Sequence, residues 1–351
     1  NISGLTLANG SGGTPGLSSN YKLDGGTHAF NVTKKDITFS GSRVYDGTTT
    51  VSSSDLVTND TTSGETLAFS GSGTVSSANV QNNQSITLGS IAIADGSGGG
   101  LASNYNLTTG TFDISQKWVS VGGQKIYDAT TTVSSSDLNV TGEVTGESIS
   151  ITGTGSVTDK NVGSGKTIDI SGLSLSDGSH SASNYTIGTT SFAITRRNLS
   201  ISGEKVYDGT GTVLASQIDT VNTAGGETLT ISGEGSVSLP SVGTNKSITL
   251  NTLGISDGTN GTIGLASNYA LDSGSFDITT KPITLSGSRQ YDGTTDVASS
   301  DLTLIGEVSG ESISITGTGS VTDKNVGAGK TINTTGLSLA DNTSNASNYS
   351  L

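Results

Sequence analysis

A single stretch, Gly142 to Ile168 (GEVTGESISITGTGSVTDKNVGSGKTI), returns 164 residues later at Gly306 to Ile332, with Ser309 for Thr145 and Ala328 for Ser164. Looser copies lie at Gly64 to Leu88 and Gly226 to Leu250, so the period is close to 82 residues. A chain that repeats itself at such a period must fold as a row of similar units, each settled mainly by local and neighbour contacts. Two flags fix the phase. Tyr-Asp-Gly stands upstream at Tyr45-Asp46, Tyr127-Asp128, Tyr207-Asp208 and Tyr291-Asp292, with Ala129 in place of glycine in the second. Ser-Asn-Tyr stands downstream with its tyrosine at 21, 105, 185, 269 and 349.

These flags divide the chain into 1–33, the back part of a repeat, then repeat one at 34–115, repeat two at 116–195, repeat three at 196–280 and repeat four at 281–351, which stops before its last strand. Ser3 to Leu23 matches Thr335 to Leu351, so the sequence reads as a window from a longer array. Within each repeat apolar residues alternate with polar ones, as at Val119/Val121, Ile149/Ile151, Leu173/Leu175 and Phe192/Ile194. That is the period of half-buried strands. The same pattern at Leu5/Leu7, Tyr21/Leu23 and Phe30/Val32 predicts strands in the first 33 residues as well. No sustained helical period occurs; Ser52 to Leu56 reads as one helical turn at most. The expected fold is all-β: tandem small antiparallel β-sandwich-like domains, joined by two to four residues into an elongated rod.

Composition narrows function by exclusion. There is no cysteine, hence no disulfide or thiol chemistry. A net charge of −14 disfavours nucleic acid and anionic membrane partners. No apolar run is long enough to span a bilayer as a helix.

The ordered series Tyr-Asp-Gly-Thr-Thr, Gly-Glu-Ser-Ile-Ser-Ile-Thr-Gly-Thr-Gly, Asp-Lys-Asn-Val-Gly-x-Gly-Lys-Thr, Gly-Leu-Ser-Leu and Ser-Asn-Tyr resembles the YDG-type repeat, related to the MBG repeat, of filamentous haemagglutinin-like bacterial surface proteins. Repeats one and three lack the Asp-Lys-Asn-Val-Gly run. The resemblance implies a β-rich shaft module of a large exoprotein exported by two-partner secretion, acting in adhesion or biofilm matrix, with no catalytic residues and an extracellular, cell-surface location.

Each recurring motif has a structural and a functional reading. Asp-Gly makes a tight turn, and its tyrosine packs in the core with the hydroxyl on a backbone group, as against stacking on a sugar. Asn104, Asn184, Asn268 and Asn348, before Tyr105, Tyr185, Tyr269 and Tyr349, are expected to bond local backbone or hold a left-handed turn. Glu65, Glu147, Glu227 and Glu311 follow glycine in every repeat. An isopeptide role for them needs a lysine in each repeat, yet Lys166, Lys246 and Lys330 align with Gln84, so a turn or surface role is expected. Asp95, Asp177, Asp257 and Asp341 lie in polar loops and are the candidate calcium ligands, without an EF-hand or nonapeptide spacing.

Gly165-Lys166-Thr167 lacks the first glycine of a phosphate loop, position 160 being lysine. His28 and His180 do not recur, and Trp118 takes an outward position near a repeat boundary. With no polar constellation outside the repeat pattern, an enzyme is not expected and no cofactor is required. The leading expectation is a stalk that presents a distal binding region, its nearest partners being neighbouring repeats. A multivalent glycan- or matrix-binding module and a subunit that self-associates laterally through strand edges are the alternatives.

Overall fold

The structure, a computed structural model, describes residues 3–24, 27 and 29–351. It is all-β, with 3-10 turns as the only helical elements among the described residues. Two compact units are present, Asn1–Lys117 and Trp118–Leu351.

In the second unit repeat three is the fullest example. Its opening strand, Arg197–Val206, and its closing strand, Tyr269–Thr279, lie side by side at the centre of a six-stranded sheet. Ile218–Thr220 flanks the opening strand, and Gly243–Thr249 flanks the closing one. Repeat two repeats this arrangement with Leu138–Thr141, Lys117–Ile126, Tyr185–Thr195 and Gly163–Lys166, in that order across the sheet. In both, a second group of strands packs over the first; in repeat two it is built on Ile149–Val157, which pairs with Thr132–Ser134, Ile168–Asp169 and Leu173–Asp177. The first unit holds the same pattern once, with strand order Leu56–Thr58, Lys35–Val44, Tyr105–Ser115, Gln81–Ser85.

Most pairings are antiparallel, as expected. The pair at the centre is not: opening and closing strands run parallel, Gly203 opposite Phe276 and Lys205 opposite Ile278. The cause is the short link between repeats. One residue separates Thr195 from Arg197 and Thr279 from Lys281, so each closing strand runs on into the next opening strand without reversing. A parallel pair needs a long crossover, and here the body of the repeat supplies it. Burial alternates along both strands, so Leu199, Ile201, Phe276 and Ile278 share the inward face and are at most 2% exposed. The opening strand also needs a glycine beside that phenylalanine: a Cβ on Gly41 would stand 2.5 Å from the Asp55 carbonyl oxygen and 2.9 Å from the Phe112 ring, and one on Gly203 2.0 Å from the Gln217 carbonyl oxygen.

One of the sequence expectations fails. Among the described residues before Lys35 there is a 3-10 turn, Ser18–Asn20, and no strand; Phe30 and Val32 are 89% and 87% exposed. Their alternation is that of a closing strand, as at Phe112 and Ile114. Repeat four differs from the other three. Its opening strand is reduced to Lys281–Pro282 and Thr284–Gly287, against ten residues in the other repeats. The closing strand is limited to Tyr349–Ser350, opposite Lys281 and Pro282. Ile332, whose equivalents Ile168 and Ile248 are buried, is only half-buried there.

Candidate functional site

The recurring motifs converge on one place, the joint between consecutive repeats. Its first part is the Tyr-Asp-Gly turn. Lys205 ends the opening strand with its ammonium buried, donating to the Asp208 carboxylate, Thr210 O at 2.9 Å and Thr212 O at 2.8 Å. Asp208 Oδ1 accepts from the Thr210 amide and hydroxyl, both at 2.9 Å. Lys125, Asp128 and Thr130 repeat this cage, and Arg43 and Arg289 pair with Asp46 and Asp292 in repeats one and four. Burial opposes the charge of Asp128 and Asp208, but the lysine and threonine donors outweigh it and hold both below the ordinary carboxylate value. The residue after the aspartate turns left-handed: Gly209 at φ 79°, Ala129 at φ 64°. A locked turn of this kind fixes the direction of the tyrosine beside it.

That tyrosine crosses to the next repeat. Tyr127 donates its hydroxyl to Glu227 Oε1 at 2.7 Å, and Tyr269, of the Ser-Asn-Tyr motif, donates to Glu227 Oε2 at 2.7 Å. The two rings meet edge to face at 5.5 Å and 78°, a favourable aromatic geometry. Lys160 adds an ion pair to Oε1 at 2.8 Å. Asn268 completes the joint: its Oδ1 accepts from the Val162 amide and its Nδ2 donates to Asn161 Oδ1, both at 2.9 Å. The next joint is built alike. Tyr207 and Tyr349 donate to the two oxygens of Glu311 at 2.6 and 2.5 Å, their rings lie 5.6 Å apart at 80°, and Asn348 Oδ1 accepts from the Val242 amide at 2.9 Å. Apolar packing continues through both joints, since Leu199, Ala224 and Tyr269 join the core of repeat two, and Ile283, Ile313 and Tyr349 that of repeat three.

Electrostatics follow from this geometry. Burial pushes the Glu227 carboxyl up, yet the donors Lys160, Tyr127 and Tyr269 prevail and it titrates below its ordinary value. Burial and the adjoining Glu227 raise both Tyr127 and Tyr269; burial and Glu311 push Tyr207 up to about 12. Both oxygens of Glu227 and of Glu311 are taken by tyrosine hydroxyls, so each carboxylate is the acceptor that ties two repeats together.

The sequence reading is corrected at several of these residues. The tyrosine hydroxyl goes to a glutamate of the following repeat instead of a backbone group. Glu227 is buried, where a turn or surface place was expected, because three donors replace its water. Asn268 and Asn348 bond the backbone of the preceding repeat, and none of Asn104, Asn184, Asn268 or Asn348 adopts a left-handed conformation; each ends a 3-10 turn. Tyr291 is 62% exposed. The recurrence of Gly-Glu at one phase in four repeats was the available signal for the glutamate. Its partner lay a repeat away, where spacing within one unit could not find it.

Every repeat carries the receiving half of the joint. In repeats one and two Tyr105 donates to Glu65, and Tyr185 to Glu147. Asp95, Asp177, Asp257 and Asp341 each accept from the amide of an alanine that starts the 3-10 turn: Ala102, Ala182, Ala266 and Ala346, at 2.7–2.8 Å. They brace the Ser-Asn-Tyr motif, and no group of three or more His, Cys, Asp or Glu side chains able to hold a metal occurs among the described residues. Trp118 is exposed and lies against Gly188 of its own repeat; His28 falls outside the described residues.

Sheet, joint and period together define an all-β tandem-repeat protein whose conserved-looking motifs serve inter-repeat contact. The family model for the YDG domain matches residues 27–112, 116–192, 195–276 and 278–351, and the chain belongs to that family. Comparison with curated proteins gives no match.

Proposed function

We propose that this chain is a shaft segment of a secreted bacterial surface adhesin or extracellular fibre, of the filamentous haemagglutinin-like type exported by two-partner secretion. Its task is mechanical: to hold a distal binding region away from the cell, with no catalytic step and no bound cofactor. The observation that supports this reading is the joint itself, built twice from residues that every repeat carries. A one-residue link, a tyrosine–glutamate–tyrosine bridge, an asparagine clamp and shared core together resist bending at these two boundaries. Tyr127, Tyr207, Tyr269 and Tyr349, which a glycan-binding module would need exposed, are spent in these bridges. The aspartates proposed for calcium already serve the backbone, so stiffness should not depend on the ion.

Small-angle scattering of the full chain, with calcium and with a chelator, tests this. A compact globule of this length has a radius of gyration of about 20 Å; a shaft should give a value well above that, unchanged by chelation. A value near the compact one would refute the shaft, and extension only with calcium would make the aspartate loops metal sites.

A further inference from the structure

Repeat three carries a strap across its joint with repeat two. Asp257 and the alanine it braces, Ala266, are nine residues apart, against five for the matching pairs in repeats two and four. The extra residues form the strand Thr262–Ile263, which runs parallel to Glu227–Thr228 with Thr262 opposite Glu227. Two buried glycines anchor it: the Gly258 amide donates to Gly264 O and the Gly264 amide to Thr228 O, both at 3.0 Å. A Cβ on Gly264 would stand 3.2 Å from Glu227 Oε2, so the strap lies on the carboxylate that ties the two repeats together. Glu227 is 3% exposed, whereas Glu147 and Glu311, under the shorter loops, are half-buried. Lys160 supplies the counter-charge; the strap keeps water out.

The tip of the strap, Thr259-Asn260-Gly261, is exposed at all three residues. Thr228 Oγ1 donates to Asn260 O and pins the main chain there. Neither the Asn260 carboxamide nor the Gly261 amide makes a hydrogen bond among the described residues. Gly261 turns left-handed at φ 66° and has no Cβ to obstruct its nitrogen. The other Asn-Gly pair of the sequence, Asn9-Gly10, is held differently: Asn9 Oδ1 accepts from the Ser18 amide at 2.7 Å, and the Gly10 amide donates to Gly16 O at 3.1 Å.

We propose that Asn260 is a site of spontaneous backbone modification that unseals the joint between repeats two and three. The Gly261 nitrogen bonds to Asn260 Cγ, the Cγ–Nδ2 bond breaks, and Nδ2 leaves as ammonia with the Gly261 amide proton. Water then opens the cyclic imide at one of its two carbonyl carbons. Opening at Cγ leaves an aspartate. Opening at the main-chain carbon leaves an isoaspartyl link, in which the chain runs through Cβ and Cγ and the former main-chain carbonyl becomes a free carboxylate. Water is the only co-reactant and no electrons are exchanged. Asparagine is among the thermally labile residues, and here both reacting groups are free.

Both products bear on Glu227. Each adds a negative charge to the strap that lies on this carboxylate, and like charges disfavour each other's ionised form. The isoaspartyl link also inserts a carbon into the main chain just before Gly261 and removes the carbonyl that holds the Thr228 hydroxyl. A strand of two residues has little pairing with which to keep its register against such a change. The corresponding loops of repeats two and four have neither the extra residues nor an Asn-Gly pair, so the joint between repeats three and four is spared.

Incubating the full chain in mildly alkaline buffer at physiological temperature tests the proposal, which stands apart from the shaft reading. Samples are mapped by mass spectrometry and labelled with an isoaspartyl methyltransferase. Asn260 should convert first among the asparagines, several-fold ahead of Asn9, and carry the label. In the aged chain the Val162 amide, bonded to Asn268 across the sealed joint, should exchange several-fold faster, with the Val242 amide of the other joint unchanged. Asn260→Ser, altered at an exposed position, should keep Val162 slow through the same incubation. Survival of Asn260 while Asn9 or another asparagine converts would overturn the proposal, the fold then holding the pair out of reaction. Conversion that leaves Val162 as slow as in the fresh chain would overturn it too. So would a quickening that also appears in aged Asn260→Ser, since the damage would then lie elsewhere.

Discussion

The joint between repeats two and three and the joint between repeats three and four solve one problem with different charge balances. In the first, Glu227 is buried and meets Lys160 as well as two tyrosines. In the second, Glu311 is half-buried and meets the tyrosines alone. The difference traces to one loop: repeat two reads Asp159-Lys160-Asn161-Val162, and repeat three reads Leu239-Pro240-Ser241-Val242. Pro240 cannot supply an ammonium, and Ser241 cannot supply the second asparagine contact made by Asn161. The bridge needs the tyrosines and the glutamate; a cation is required only as far as the carboxylate is removed from water.

The largest effect should come from removing the carboxylate. Glu227→Ala leaves two buried tyrosine hydroxyls without an acceptor and Lys160 without its counter-charge, a loss of about 3–5 kcal/mol. Glu311→Ala empties a wetter site with no lysine and should cost about 1–3 kcal/mol. Denaturant unfolding would measure both. The Val162 and Val242 amides, each bonded across its joint, would report local opening by hydrogen exchange. Equal losses in the two variants would mean that the lysine and the deeper burial are energetically idle.

Lys160→Met isolates the cation. It leaves a buried carboxylate with tyrosine donors only, making the first joint resemble the second. The ammonium is part-exposed, so water replaces some of what is lost, and a cost of about 1–3 kcal/mol is expected. Exchange at Val162 should quicken while that at Val242 stays unchanged.

How much of this could be read beforehand is clear from the residues. Repeat period, strand content and the outward place of Trp118 follow from spacing and alternation, which are properties of one repeat. The Asp-Gly turn was also legible, because its partners, Lys205 and Thr210, are three residues before and two after Asp208. Glu227 was not, since its partners Tyr127 and Lys160 lie in a different repeat and its burial exists only once the repeats stack. Parallel pairing of the opening and closing strands was hidden for a related reason: alternation gives the faces of a strand and not the direction of its neighbour.

Acid and alkali should loosen the joints for opposite reasons. Glu227 has its folded pKa lowered, so its contribution is complete above the unfolded value of about 4.3 and is lost as pH falls through the lower folded one. Tyr207 has its folded pKa raised to about 12. Its contribution is complete below the unfolded value of about 10 and is lost as pH rises through the folded one. Tyr127 and Tyr269 shift in the same direction, so both joints should weaken in alkali. Val162 protection followed from neutral to acid pH, and phenolate absorbance followed into alkali, would check the two limbs. A Val162 protection factor, corrected for intrinsic exchange, that is unchanged below pH of about 4 would contradict the role given to ionised Glu227.

The smallest effect concerns the turn that aims the tyrosine. At the second joint it contains Gly209, and at the first Ala129, in a left-handed conformation at φ 64° that costs a residue with a Cβ about 1 kcal/mol. Ala129→Gly relieves that strain, but it also frees the unfolded chain and removes a methyl that sits close to Gly225. The net gain should therefore be below about 1 kcal/mol. Gly209→Ala should lose more than Ala129→Gly gains, because a Cβ there would stand 2.9 Å from Val308 across the joint. Repeat two accommodates alanine because the facing residue is Gly225, the smallest possible neighbour; Gly225→Val should cost the most of the three, adding the strain of a β-branched residue at φ 57° to crowding against Ala129. If all three variants unfold at the same denaturant concentration as the parent, the turn does not set the fit of the joint, and the tyrosine bridge alone aligns the repeats.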